Sequence, residues 1–292
     1  MPHDMFSVHH RFTAMTFDTS SCRDDYRARV DVMTQALSLA APDILLLQNV
    51  FATADNRHNT ASHLANALHM QCAFLPVRPK IRYLDGRPTQ SHNGLAILSR
   101  HAVIDAGRIE LPCDPRDGER IAQFVDLDID GMRLMVANIQ LGHQAGADAV
   151  RRHQIETLAQ RLAGAHDFDH ILVGGDFNAG PNEPALAPIR EMHGFTVAEA
   201  APERCVDRLF VLTREAAYRP IAPLTLADTR LELDRIDPIT NLFPAERAAL
   251  MCEMTLNTAR EALAPISGLP GWAKGARMRR ESAISVLHTA AE

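Results

Sequence analysis

Ile171-Leu172-Val173-Gly174-Gly175-Asp176-Phe177-Asn178-Ala179-Gly180-Pro181 is the stretch whose reading decides the fold. An apolar run enters Gly-Gly, then a carboxylate and an amide follow two positions apart, and Ala-Gly-Pro closes the segment. This is the pattern of a short buried strand ending in a turn. If the extended backbone persists through Phe177, Asp176 and Asn178 project to the same side. An acid and an amide side by side at a strand end suit a polar site at the edge of a sheet. The same residues also suit a turn in which Asp and Asn merely bond nearby backbone.

Composition narrows the classes. The chain has 292 residues, of which 46% are hydrophobic and 23% charged, as in an ordinary globular protein. No apolar run approaches the roughly 20 residues that span a bilayer. Residues 1–11 lack the pattern of a secretory signal, and the five cysteines are scattered without metal-ligand spacing, so a reducing cytoplasm is expected. Net charge −6 and few stacking aromatics argue against an extended nucleic-acid track, although a local basic groove stays open.

Outward from the opening stretch, alternation predicts a strand over Phe12–Phe17 that delivers Asp18 at its end. A helix is expected from Arg23 to Ala40, capped by Ser20 or Ser21, with Val30, Met33 and Leu37 on one face. Ile44–Leu47 reads as a buried strand ending in Gln48-Asn49, followed by a helix over Ala61–Met70 and a strand over Ala73–Val77. Arg78–His92, polar and holding Asp85-Gly86 and Pro88, reads as a surface loop before a strand at Gly94–Leu98. Asp130-Gly131 marks a hairpin between Ile121–Ile129 and Met132–Leu141. A helix over Asp148–Leu162 and strands over Val206–Leu212 and Leu250–Leu256 complete the pattern, with no internal repeat. Many strands with helices between them predict two packed sheets with helices outside.

Six strand-end motifs carry a resemblance: Met15-Thr16-Phe17-Asp18, Pro42 through Val50, Asn93 through Arg100, Val136 through Leu141, Gly175-Asp176-Phe177-Asn178, and Val206 through Val211. In this order and spacing the chain resembles the endonuclease/exonuclease/phosphatase superfamily of metal-dependent phosphoesterases. That resemblance implies a four-layer α/β sandwich over residues 1–256.

It also implies a chemistry that these residues alter. The family's metal-binding Glu at the end of the second strand is here Asn49, and the Asn at the end of its first strand is here Asp18. The two have traded character, leaving weak Mg²⁺ binding through Asp18 as one reading and its loss as the other. Gln140 stands where the family has a phosphate-holding His. The closing Ser-Asp-His matches Ala245-Glu246-Arg247, where Glu246 can imitate the Asp as a replacement metal ligand. Arg247 cannot imitate the His, but it can clamp an anion. Asp176 and Asn178 survive in full; in the family the Asp activates the attacking water and the Asn orients the phosphoryl group. The matched motifs add Asn93 and Asn138 to the residues expected at substrate.

Residues 257–292 form a separate extension with Trp272 and the basic Lys274, Arg277, Arg279 and Arg280, read either as a helix folded over a sheet edge or as a dimer or partner contact. Three functions stay open. The first is a remodelled site that binds a small anionic or phosphorylated molecule. The second is an active Mg²⁺-dependent phosphoesterase using Asp18 and Glu246. The third is a non-catalytic interaction protein.

Overall fold

Two six-stranded sheets carry the chain, in the strand orders β11-β12-β1-β2-β4-β3 and β5-β6-β7-β8-β10-β9. The structure is a computed structural model describing residues 7–23, 25–114, 116–180, 182–202, 205–216 and 220–259. Within it, Val8–Thr258 forms one compact unit. A second grouping, Met1–Ser7 with Ala259–Glu292, falls almost wholly outside the described residues. The expected extension over residues 257–292 does too, apart from three residues that end β12.

In the first sheet, β1 (Ser7–Asp18), β2 (Ile44–Thr53), β3 (Gln71–Leu84) and β4 (Arg87–Ser99) are joined by β11 (Leu224–Glu232) and β12 (Ala249–Ala259). The second holds β5 (Ala102–Leu111), β6 (Arg120–Ile129), β7 (Met132–Gln140), β8 (His170–Asp176), β9 (Phe195–Ala200) and β10 (Asp207–Arg214). Helices α1 (Tyr26–Ala40) and α2 (Thr60–Leu68) follow β1 and β2, α3 (Asp148–Ala163) follows β7, and the short α4 (Ala187–Arg190) follows β8.

The continuous apolar runs have a direct cause: strands β2 and β8 are covered on both faces. Ile44 and Leu46 pack between the sheets with Leu172, Leu209 and Val211. Their neighbours Leu45 and Leu47 point the other way, onto Met33 and Leu37 of α1 and Leu64 of α2. Ile171 and Val173 likewise face Ile155, Leu158 and Leu162 of α3. Helix, sheet, sheet and helix make four layers, as expected.

Local details depart from the sequence reading. Helix α1 starts at Tyr26 and is capped by Asp25, whose side chain accepts from the Ala28 N–H at 3.2 Å, not by Ser20 or Ser21. Arg78–His92 is not a loop. It forms much of a long hairpin, with β3 and β4 paired up to Leu84 and Arg87 around Asp85-Gly86. Asp-Gly is the left-handed turn chemistry such hairpins need, and Asp85 and Gly86 have φ of 50° and 73°. Strands β5, β9 and β11 are additional; β5 and β11 are largely exposed, so they lack the apolar signal of a buried strand. No helix among the described residues is long and apolar enough to cross a membrane.

Candidate functional site

The parallel pairs bring the strand ends together. Asp18 of β1 lies opposite Gln48 of β2, and Gln140 of β7 opposite Asp176 of β8. Antiparallel β10 places Asp207 opposite Asp176 from the other side. At this edge Asp18, Gln140 and Asp176 line a cleft of ≈ 640 Å³, with Gln48 and Asp207 buried behind them.

The local chain conformation then aims each group. The β2–β4 register shifts between Leu47 and Val50, and Asn49 there adopts φ 50°, a conformation Asn tolerates better than most residues. Its amide Nδ2 donates to Asp18 Oδ2 at 2.6 Å, and its Oδ1 accepts from Asn93 Nδ2 at 3.1 Å. Asp18 Oδ1 accepts from the Ser20 N–H at 2.7 Å, and Gln140 Nε2 reaches Asp18 Oδ2 at 3.5 Å. Arg29 of α1, buried, fixes the loop after β1 by donating to the Thr19 and Ser21 carbonyls at 2.5 and 2.6 Å.

Gly175 has a strict role in aiming Asp176. Its φ is 144°, and a Cβ there would lie 2.0 Å from the Ile139 carbonyl oxygen. Extension ends at Asp176, and Asn178 turns into φ 48°. The expectation that an extended Phe177 aligns the two side chains is therefore corrected. They are coupled instead by the Asn178 N–H donating to Asp176 Oδ1 at 3.0 Å, while Asn178 Nδ2 donates to the Leu141 carbonyl at 3.0 Å.

Arg247 lies at the centre. Its Nη2 donates to Asp176 Oδ2 at 2.8 Å and stands 3.7 Å from Asp18 Oδ2 and 3.9 Å from Asp207 Oδ1. Burial alone would ease proton loss from this guanidinium, but Asp176 and Asp207 more than offset it and hold the charge in place. Burial, then the Asp176 charge, pushes the Asp18 carboxyl above its usual range, against the Ser20 N–H, Asn49 and Arg247. The same two causes raise Asp207 well above the usual carboxylate range. Asp207 is 1% exposed, and neither of its oxygens has a hydrogen-bond partner among the described residues.

Two expected site residues are corrected. Asn138 is wholly buried between the sheets, where its Nδ2 donates to the Leu47 and Ala96 carbonyls and its Oδ1 accepts from Gln48 Nε2. All its polar atoms are committed to joining the sheets, so it does not face substrate. Glu246 lines the cleft, but its carboxylate is taken up by Arg23 and makes no contact with Asp18 among the described residues. Across the cleft stands a cluster the sequence reading missed: Asp117, 4% exposed, accepts from Arg120 Nη2 at 2.6 Å and Nε at 3.2 Å, with His143 Nδ1 at 2.8 Å. Asp117 and Arg120 lie three positions apart just before and at the start of β6, and His143 follows β7; an acid–Arg pair at that spacing is too common to mark a site by itself.

Magnesium takes octahedral oxygen donors at about 2.0–2.1 Å. The Asn49 amide nitrogen faces Asp18, the Asn49 oxygen is bonded to Asn93, and a guanidinium borders Asp18 and Asp176. Among the described residues no three His, Cys, Asp or Glu gather as a metal would need. The residues do not fit a resident magnesium ion.

Known proteins share this architecture. A family model described as "Endonuclease/Exonuclease/phosphatase family" matches residues 15–243. A humanized D. rerio TDP2 with 14 mutations superposes with TM-score 0.63 at 16% identity, covering 84% of this chain and 99% of that one. The human Nocturnin catalytic domain with bound sulfate gives 0.61 at 20%, covering 86% and 97%. ANGEL2, a 2′,3′-cyclic phosphatase in complex with adenosine-2′,3′-vanadate, gives 0.63 at 14%, covering 85% and 96%. A search of curated proteins found no match. At these identities the structural likeness speaks for the fold.

Proposed function

The chain belongs to the endonuclease/exonuclease/phosphatase family, and from that premise we propose that its cleft binds a small phosphate-bearing anion without the metal-dependent phosphodiester cleavage that the family's motifs imply. One observation carries the reading: Arg247 sits against Asp176, with Asp18 and Asp207 within 3.9 Å of the same nitrogen. A guanidinium supplies positive charge at the strand ends without a metal, and it does not give up its proton at any ordinary pH. It therefore serves as a fixed anion clamp and not as an acid or base. Nη2 makes its only hydrogen bond to a described side chain, and Arg247 lines the cleft with its side chain 38% exposed.

In this reading Gln140, Asn93 and Asn178 orient the bound anion beside Arg247, and Asp176 is the group placed to accept a proton from a bound hydroxyl or water. Charge stabilisation is usually the largest single catalytic effect, and proton transfer contributes about 10²–10⁴-fold. Without the family's metal Glu and its histidines, Asp176 by itself falls far short of phosphodiester cleavage. The sulfate and the adenosine-2′,3′-vanadate named with two structural relatives belong to the same ligand chemistry.

Calorimetry on chelator-treated protein tests this. Inorganic phosphate is expected to bind saturably, and Arg247→Ala to weaken it about tenfold or more, or about 1.4 kcal/mol. Mg²⁺ and Mn²⁺ are expected to give no saturable heat up to millimolar metal. Stoichiometric metal binding that Asp18→Ala abolishes overturns the reading in favour of the active phosphoesterase.

A further inference from the structure

We propose that β3 adds a second anion subsite to this cleft, so that the ligand is a small molecule with linked phosphoryl groups, a di- or triphosphate. The inference rests on the Arg247 clamp as its first subsite. Arg78, Lys80 and Arg82 occupy alternate positions of β3, so their side chains share one face, and all three line the cleft. Along a strand such neighbours stand roughly 6–7 Å apart. Arg78 pairs across the hairpin with Asn93. From there the hydrogen bonds of Asn93 to Asn49 and Asn49 to Asp18 lead to Arg247, so the basic row and the clamp line one continuous surface.

This row lacks a direct ion pair, although Asp117 and Glu119 act on Arg78 from further off. None of the three cations forms an ion pair with a described residue, and Arg82 Nη1 is buried without a hydrogen-bond partner among them. Arg78 donates only to a carbonyl, that of Asp117. Burial, reinforced by Arg78, Arg82 and Arg120, lowers the proton affinity of Lys80, and the more distant charge of Asp117 offsets this only in part. A charged edge strand is a common defence against strand pairing, but that role does not require one sign of charge on one face. Edge strand β11 shows the contrast, because there Arg230 pairs with Glu232 at 2.8 Å. The row on β3, without a direct ion pair, instead matches the second and third negative charges of a polyphosphate whose first phosphoryl group sits at Arg247.

The test titrates the full chain with orthophosphate, tripolyphosphate and a short single-stranded oligonucleotide. Tripolyphosphate is expected to bind about tenfold or more tighter than orthophosphate. A Lys80→Ala/Arg82→Ala variant is expected to lose that preference while keeping its orthophosphate affinity and its melting temperature. Both side chains sit at least partly exposed on an edge strand, so folding should tolerate the change. Equal affinity for the two phosphates, or a preference that survives the double variant, overturns the second subsite. So does an oligonucleotide that binds more tightly than tripolyphosphate. If orthophosphate does not bind but tripolyphosphate does, and the double variant abolishes it, the row on β3 is upheld and the Arg247 clamp is the part that fails.

Discussion

Two arginine–aspartate clusters face each other across the cleft, and they are built to different stoichiometries. At Asp117 one carboxylate accepts from Arg120 through two nitrogens and from the His143 backbone N–H at 3.2 Å, with the His143 ring nitrogen 2.8 Å away. At Arg247 one guanidinium serves three aspartates and makes a full hydrogen bond to only one of them. The first cluster is saturated and 6% exposed or less at Arg120 and Asp117, which is what a structural pin requires. The second leaves the buried Asp207 without a side-chain hydrogen bond among the described residues and Arg247 partly open to the cleft.

Breaking the pin should have the largest effect. Arg120→Ala strands a buried carboxylate, and a loss of about 3–5 kcal/mol is expected in urea unfolding. A loss under about 1 kcal/mol would erase the distinction between the clusters. Arg247→Ala should cost less in stability, about 1–2 kcal/mol after discounting for solvent screening, while the phosphate affinity falls. A stability loss equal to that of Arg120→Ala, with phosphate binding retained, would make both clusters structural.

The next effect is a pH dependence. Asp207 keeps its proton in the folded chain above the pH at which it loses it unfolded, because burial and Asp176 raise it. The folded state then binds more protons than the unfolded one, so this group's contribution falls as pH rises from about 4 up through the raised folded value. Asp18 acts in the same direction. Asp207→Asn is expected to flatten that decline in melting temperature between acid and neutral pH; an unchanged slope would assign the decline elsewhere. The smallest effect belongs to Glu246→Gln. The Glu246 pair with Arg23 is exposed, and a change within about 0.5 kcal/mol is expected, with phosphate binding unaltered.

Much of the fold is legible locally. The apolar runs at Ile44–Leu47 and Ile171–Val173, and the Asp130-Gly131 turn, identify their elements because each pattern spans only a few residues. The hairpin over Arg78–His92 escaped because a polar edge strand buries no face, although Asp85-Gly86 and the alternating Arg78, Lys80 and Arg82 were visible marks of it. At the site, Asp18, Asn49, Gln140, Asp176, Asn178, Asn93 and Arg247 could be picked out by motif and do line one cleft. Glu246 lines it too but pairs with Arg23, and Asn138 lies between the sheets, since a motif gives a position in the chain but not what its side chain bonds to.

By itself, then, the sequence determined the layer order and the family, because alternation and strand-end motifs are short-range properties of the chain. Only the tertiary structure decided that Arg247 stands among Asp18, Asp176 and Asp207, and that Asn49 turns its amide onto Asp18. Those contacts join residues from 31 to 229 positions apart. They depend on the register of two sheets and on a bulge at Asn49, and electrostatics responds to distances in space that no local pattern records.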